Sequence, residues 1–177
     1  DNGTTWSERN SGLGGGTRDD RVGGTYVKSF AVSGTTIYAG TGNGVFISSN
    51  DGDNWTAMNT GLERRGLAVS SLVISGDKIF AGAGGGVFLS TNNGGLWTAV
   101  DTTGLPKFVQ MIGVQSLAIS GNNMFAGTDS KGVFLSTNNG SNWTAVNTGL
   151  TIKPVRAIAI SGSNIFVGTS GKGVFLS

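Results

Sequence analysis

Short apolar runs separated by glycine, asparagine and serine follow one another along the whole chain, and the same series of runs is written four times. The third copy is the clearest. Val114–Ile119 leads into Ser120-Gly121, Met124–Gly127 follows, and Val133–Ser136 and Trp143–Val146 complete the unit. The matching first runs are Val27–Val32, Val69–Ile74 and Val155–Ile160. The matching second runs are Ile37–Gly40, Ile79–Gly82 and Ile165–Gly168. β-Branched and aromatic residues in runs of this length, bounded by turn residues, predict antiparallel hairpins. No stretch carries the 3.6-residue periodicity of a helix. Gly-Val-Phe marks one point of every unit, at Gly44, Gly86, Gly132 and Gly173, in steps of 42, 46 and 41 residues. A repeat of that length is the length of a four-stranded propeller blade.

Alternation inside the first run adds the packing. Its odd positions are small and its later even positions large: Val155, Ala157 and Ala159 against Ile158 and Ile160, Ser116 and Ala118 against Leu117 and Ile119. Successive side chains of a strand point to opposite faces. The sheet is therefore expected to be apolar on both faces, one bulky and one shallow. Such a sheet has to lie between neighbours. Stacked blades provide them, whereas a two-sheet sandwich leaves one face of each sheet in water. The pattern predicts an all-β chain, a β-propeller of four-stranded antiparallel blades with four blade equivalents.

The connection between the third and fourth runs has its own signature, Ser-x-Asn-x-Gly-x-x-Trp. It occurs as Ser48, Asn50, Gly52 and Trp55, as Ser90, Asn92, Gly94 and Trp97, and as Ser136, Asn138, Gly140 and Trp143. A fourth copy is split between the ends of the sequence, with Ser177 at one end and Asp1, Gly3 and Trp6 at the other. This signature resembles the Asp-box (BNR-like) repeat, Ser-x-Asp-x-Gly-x-x-Trp, of sialidase-like and photosystem-assembly-factor-like propellers and of large secreted bacterial repeat proteins. The departure is the third position, which is Asn in the three continuous copies. An Asn side chain can still accept backbone N–H bonds inside the turn, and the glycine still supplies a positive φ. The resemblance implies that the box is a structural hairpin.

The split copy bears on closure. Residues 1–6 are expected to supply the fourth strand of the last blade, which gives one domain over 1–177 with repeats at about 7–55, 56–97, 98–143 and 144–177 plus 1–6. Donor and acceptor within one chain would make a four-bladed ring. Donor and acceptor on two chains would make each chain half of an eight-bladed ring. The first residue is Asp1 rather than Met, which reads as a processed form or an excerpt of a longer array.

Composition narrows the chemistry. Glycine supplies 32 residues, and charged residues are only 12%, with a net charge of +2. That balance gives no reason to expect nucleic acid as a partner. There is no cysteine and no histidine, so thiolate sites, imidazole-based triads and His-ligated metals are excluded. No apolar run reaches membrane-spanning length, so no membrane insertion is expected. No secretory signal is present either. Asp51 and Asp53 could suggest calcium, but the other copies carry Asn, Gly or Ser there, and no metal or cofactor is expected. Gly40-Thr41-Gly42-Asn43-Gly44 looks like a nucleotide loop but opens no helix. The sequons at Asn2, Asn54, Asn139 and Asn142 fall in turns that need those residues anyway. Resemblance to sialidases would require an arginine triad and a Tyr–Glu pair. The chain has only Tyr26 and Tyr38, with Glu8 and Glu63, and no evident carboxylate pair, so no catalytic residue is expected.

Charge is better placed than it is abundant. With the four runs of each unit labelled A to D in order, a propeller places the D–A and B–C connections on one face and the A–B and C–D turns on the other. Arg18, Arg21, Arg64, Arg65, Lys107, Lys131, Lys153 and Lys172 fall on the first face against four acidic residues, Asp19, Asp20, Glu63 and Asp129. Lys78 alone faces Asp1, Asp51, Asp53 and Asp77 on the second. The copies also differ most in their D–A segments, 14–25, 63–66, 106–113 and 151–154. Variable loops on a rigid scaffold are where binding resides. The expected function is a non-catalytic binding or structural module whose eight basic residues meet a protein or glycan, in a secreted or envelope protein. A lectin, a self-assembling protein that forms homodimers or head-to-tail arrays, and a sialidase-like hydrolase are the alternatives.

Overall fold

The computed structural model describes residues 2–13, 26–62, 67–100, 105, 113–151 and 153–177. All regular structure among them is β. Fifteen strands form four antiparallel sheets. The first blade is β1 (Val27–Ser33), β2 (Thr36–Thr41), β3 (Gly44–Ser48) and β4 (Thr56–Ala57). The second is β5 (Val69–Ser75), β6 (Lys78–Ala83), β7 (Gly86–Ser90) and β8 (Thr98–Ala99). The third is β9 (Val114–Ser120), β10 (Asn123–Thr128), β11 (Gly132–Ser136) and β12 (Thr144–Ala145). The fourth has three strands, β13 (Val155–Ser161), β14 (Asn164–Thr169) and β15 (Gly173–Leu176). Each sheet is a simple meander, so D–A and B–C connections do share one face.

Blades stack bulky face on shallow face. Leu72 and Val69 of the second blade pack with Tyr38 and Val45 of the first, and Leu117 and Val114 of the third pack with Phe80 and Val87 of the second. The first strands are stitched in the same direction. The Leu72, Leu117 and Ile158 amides donate to the hydroxyls of Ser29, Ser71 and Ser116 in the preceding blade, at 2.9–3.0 Å.

One detail of the alternation differs from expectation. The leading Val of the first strand lies with the bulky residues, not on the shallow face. A register shift after it, as between Val155 and Ala157, makes a bulge, and the extra residue turns the Val to the same side as Ile158. The fourth strand is also shorter than the sequence run, two residues in place of four.

The C–D hairpin repeats in atomic detail. The Ser48 hydroxyl donates to Asn50 Oδ1 (2.9 Å) and accepts from the Gly52 amide (3.0 Å), and Asn50 Oδ1 accepts from the Asn54 amide (3.0 Å). Ser90 and Asn92, and Ser136 and Asn138, make the same set. Asp51, Asn93 and Asn139 precede the glycine with φ of 56°, the left-handed region that Asn and Asp tolerate better than other side chains.

The arc stays open. No packing like that between β1 and β5, β5 and β9, or β9 and β13 joins β13 to β1. Among the described residues the fourth sheet holds three strands, and the N-terminal segment is not one of them. Trp6 is 91% exposed, and residues 9–13 lie instead on the first blade, where Arg9 O accepts from Trp55 Nε1 (2.9 Å) and Ser11 O from the Trp55 amide (2.8 Å). The outer faces of the arc are correspondingly bare, with Phe30 and Val32 exposed at one end and Val174 and Leu176 at the other.

Candidate functional site

Of the eight basic residues expected on the D–A/B–C face, Arg18, Arg21, Arg64, Arg65 and Lys107 lie outside the described residues. Lys131, Lys153 and Lys172 are described and all three are exposed. Lys131 and Lys153 lie together where the third blade meets the connection into the fourth, and Lys172 lies on the same face of the fourth blade. Lys131 ends the turn between β10 and β11. Its amide donates to Thr128 Oγ1 (3.1 Å), and its carbonyl accepts from Asn147 Nδ2 (3.1 Å). The Lys153 carbonyl accepts from the Gly132 amide (3.0 Å), which brings the D–A connection against that turn. Lys172 lies in the turn between β14 and β15. Backbone bonds thus hold two of the side chains at fixed roots while their ammonium groups reach solvent.

A polar chain that the sequence reading missed runs beneath them. Asp129 Oδ2 accepts from the Gly113 amide (3.3 Å) and from Gln115 Nε2 (3.1 Å), and Oδ1 accepts from Arg156 Nη1 (3.0 Å). Arg156 Nε donates to Ser170 Oγ (2.8 Å). Gln115, Asp129, Arg156 and Ser170 therefore link the third blade to the fourth. The signal was present in the sequence. The second position of the first strand is polar in every copy, Lys28, Ser70, Gln115 and Arg156, directly after the leading Val. The bulge explains it, because this is the extra residue, free to lean toward the loop face.

Charge is distributed unevenly in this cluster. Arg156 and Asp129 are half-exposed and one-third exposed respectively, and they satisfy each other. Among the described residues the ammonium groups of Lys131, Lys153 and Lys172 form no ion pair. Three exposed lysines beside a carboxylate that is engaged by Arg156 make a rim suited to an anionic or hydrogen-bonding partner. No grouping of three or more acidic residues that could hold a metal occurs among the described residues. Among the described residues no helix is long and apolar enough to cross a membrane.

No protein-family model matches the sequence, and no curated protein does either. Solved structures do resemble it. The computationally designed Ika4 protein superposes with a TM-score of 0.63 at 14% identity, over 89% of this chain and 93% of Ika4. An ancestral GH74 enzyme gives 0.67 at 25% identity, over 85% of this chain and 22% of the enzyme. PorZ of Porphyromonas gingivalis, a bacterial surface component of the type-IX secretion system, gives 0.67 at 13% identity, over 84% of this chain and 25% of PorZ. The chain thus spans a quarter or less of these two larger proteins. The enzyme and PorZ are β-propeller proteins, and the likeness establishes that fold.

Proposed function

We propose that the chain is a non-catalytic binding module, an Asp-box propeller segment that presents its D–A/B–C face to a protein or glycan in the extracellular space or the cell envelope. The observation that carries this reading is the rim of Lys131, Lys153 and Lys172. These exposed cations have backbones tied to the scaffold, and they sit on the face where the repeats differ from one another. The recurring residues are spent on hairpins and blade packing, so the rim is left for recognition. Similarity to a surface component of a secretion system supports the location. Likeness to an ancestral GH74 enzyme supports a carbohydrate-binding module as the second reading.

Binding of immobilised acidic and neutral polysaccharides, with polyglutamate as the proteinaceous polyanion, tests the reading. The wild-type chain is expected to retain at least one acidic ligand, with affinity falling as salt is raised. The triple variant Lys131→Glu, Lys153→Glu, Lys172→Glu is expected to lose it. Equal binding by both proteins would refute the assignment.

A further inference from the structure

Between the third and fourth blades lies an apolar cavity of about 370 Å³, lined by Phe125, Val133, Leu135, Leu150, Ile165 and Phe175 among others. Its counterpart two blades earlier in the arc, between the first and second blades, is filled. There Trp97 is 2% exposed, in a cluster with Tyr38, Val45, Leu62, Ile79 and Phe88. These residues match the cavity lining position by position. Trp97 Nε1 donates to Met58 O and its amide to Thr60 O, both at 2.9 Å. Trp55 uses Arg9 O and Ser11 O in the same way. Val146 and Thr148, the equivalents of Met58 and Thr60, line the cavity.

The socket already holds its seated shape. The Leu150 amide donates to Asn147 O at 3.0 Å, as Leu62 does to Asn59 and Leu13 to Asn10. Gly149 has φ of 81°, against 88° at Gly61 and 85° at Gly12. A Cβ on Gly61 or Gly12 would run into the carbonyl of the seated Trp97 or Trp55, whereas one on Gly149 meets nothing within 4 Å. The cavity therefore has the form of a tryptophan seat.

A matching plug is exposed elsewhere on the same chain. Asn2 and Gly3 have φ of 51° and 82°, the values of Asp51 and Gly52 (56° and 85°) in the hairpin that delivers Trp55. Trp6 follows Gly3 at the spacing by which Trp55 follows Gly52, and its indole is 91% exposed. We propose that Trp6 of a second copy of this chain occupies the socket, with Ser7 and Glu8 completing the fourth sheet along the open edge of β15, as Thr56 and Ala57 do along β3. The second copy is favoured over the chain's own N-terminus by reach. Trp6 is three residues from Arg9, which is fixed to the first blade, so it extends roughly 10 Å from that anchor. The first and fourth blades do not pack on each other, and the blade-to-blade geometry that is repeated three times continues the arc into another first blade. Seating the plug covers Val174 and Leu176 with Phe30 and Val32 of the incoming copy, the faces left bare at the two ends. It also pairs an exposed sheet edge, and a head-to-tail contact of this kind closes into a ring when its rotation allows.

Sedimentation of the full 177-residue chain tests this. Wild type is expected to associate at micromolar concentration, with two chains as the smallest closed species. Trp6→Ala removes the plug at a position whose exposure leaves the single-chain fold untouched, and should weaken association at least about 30-fold. Gly149→Ala fills the place of the plug's carbonyl and should do the same. Mixing the two variants leaves one intact plug and one intact socket and should restore a mixed dimer that neither forms alone. A wild type that stays monomeric would overturn the proposal, whether its Trp6 fluorescence is exposed or buried against its own fourth blade. So would a Trp6→Ala protein that associates as strongly as wild type.

Discussion

Single residues separate the copies more sharply than the repeat suggests. Trp97 and Trp143 occupy equivalent seats, yet Trp143 Nε1 is buried without an acceptor while Trp97 Nε1 bonds to Met58 O. The interval from Trp97 to Leu105 is one residue longer than that from Trp55 to Leu62. Trp97→Phe should therefore cost about 0.5–1.5 kcal/mol more than Trp143→Phe, the difference being the lost hydrogen bond, as read from paired chemical unfolding curves. Tyr38 is the other informative residue. Burial raises its phenol above the ordinary value. The neutral form is favoured in the fold, so the unfolded chain ionises first and stability should decline as pH rises past about 10. Tyr38→Phe, which installs the residue found at Phe80, Phe125 and Phe166, should remove that alkaline component while leaving stability at pH 7 little changed. A parallel decline in the variant would assign the effect to another group.

Strands and hairpins are the scale at which the sequence was most legible. Alternating runs located the A, B and C strands to within a residue or so, because period 2 and the turn glycines act locally. The Ser-Asn-Gly-Trp spacing located the hairpins because their bonds are made within the box itself. The bulge after the leading Val was not legible. It depends on the Gly-containing strand opposite, so Val155 reads as a shallow-face residue although it packs with Ile158. Arg156 was missed for the same reason. The open arc was not legible either, since it depends on the angle between blades. Interblade bonds can be tested at this scale. Ser71→Ala removes the hydroxyl that accepts from the buried Leu117 amide and should destabilise the chain by about 1–3 kcal/mol. Ala157 stands where the first three blades carry this serine, so an interface made by the fourth blade lacks that bond and should be weaker than the three inside the chain.

At the scale of the whole molecule, four blades form an arc with a plug at one end, a socket at the other and a cationic rim beside the socket. Rim and socket lie on the same pair of blades, so head-to-tail association would place Lys131, Lys153 and Lys172 next to the loop face of the incoming copy, and ligand binding and assembly should be coupled. If they are, an acidic ligand that spans both copies will shift the sedimentation profile of wild type but not of Trp6→Ala. The arrangement of blades is tested most directly by small-angle scattering of the wild-type chain at micromolar concentration. A two-chain particle with a radius of gyration of about 20 Å and twice the chain mass is the expected result. A compact particle of single-chain mass near 16 Å would contradict it.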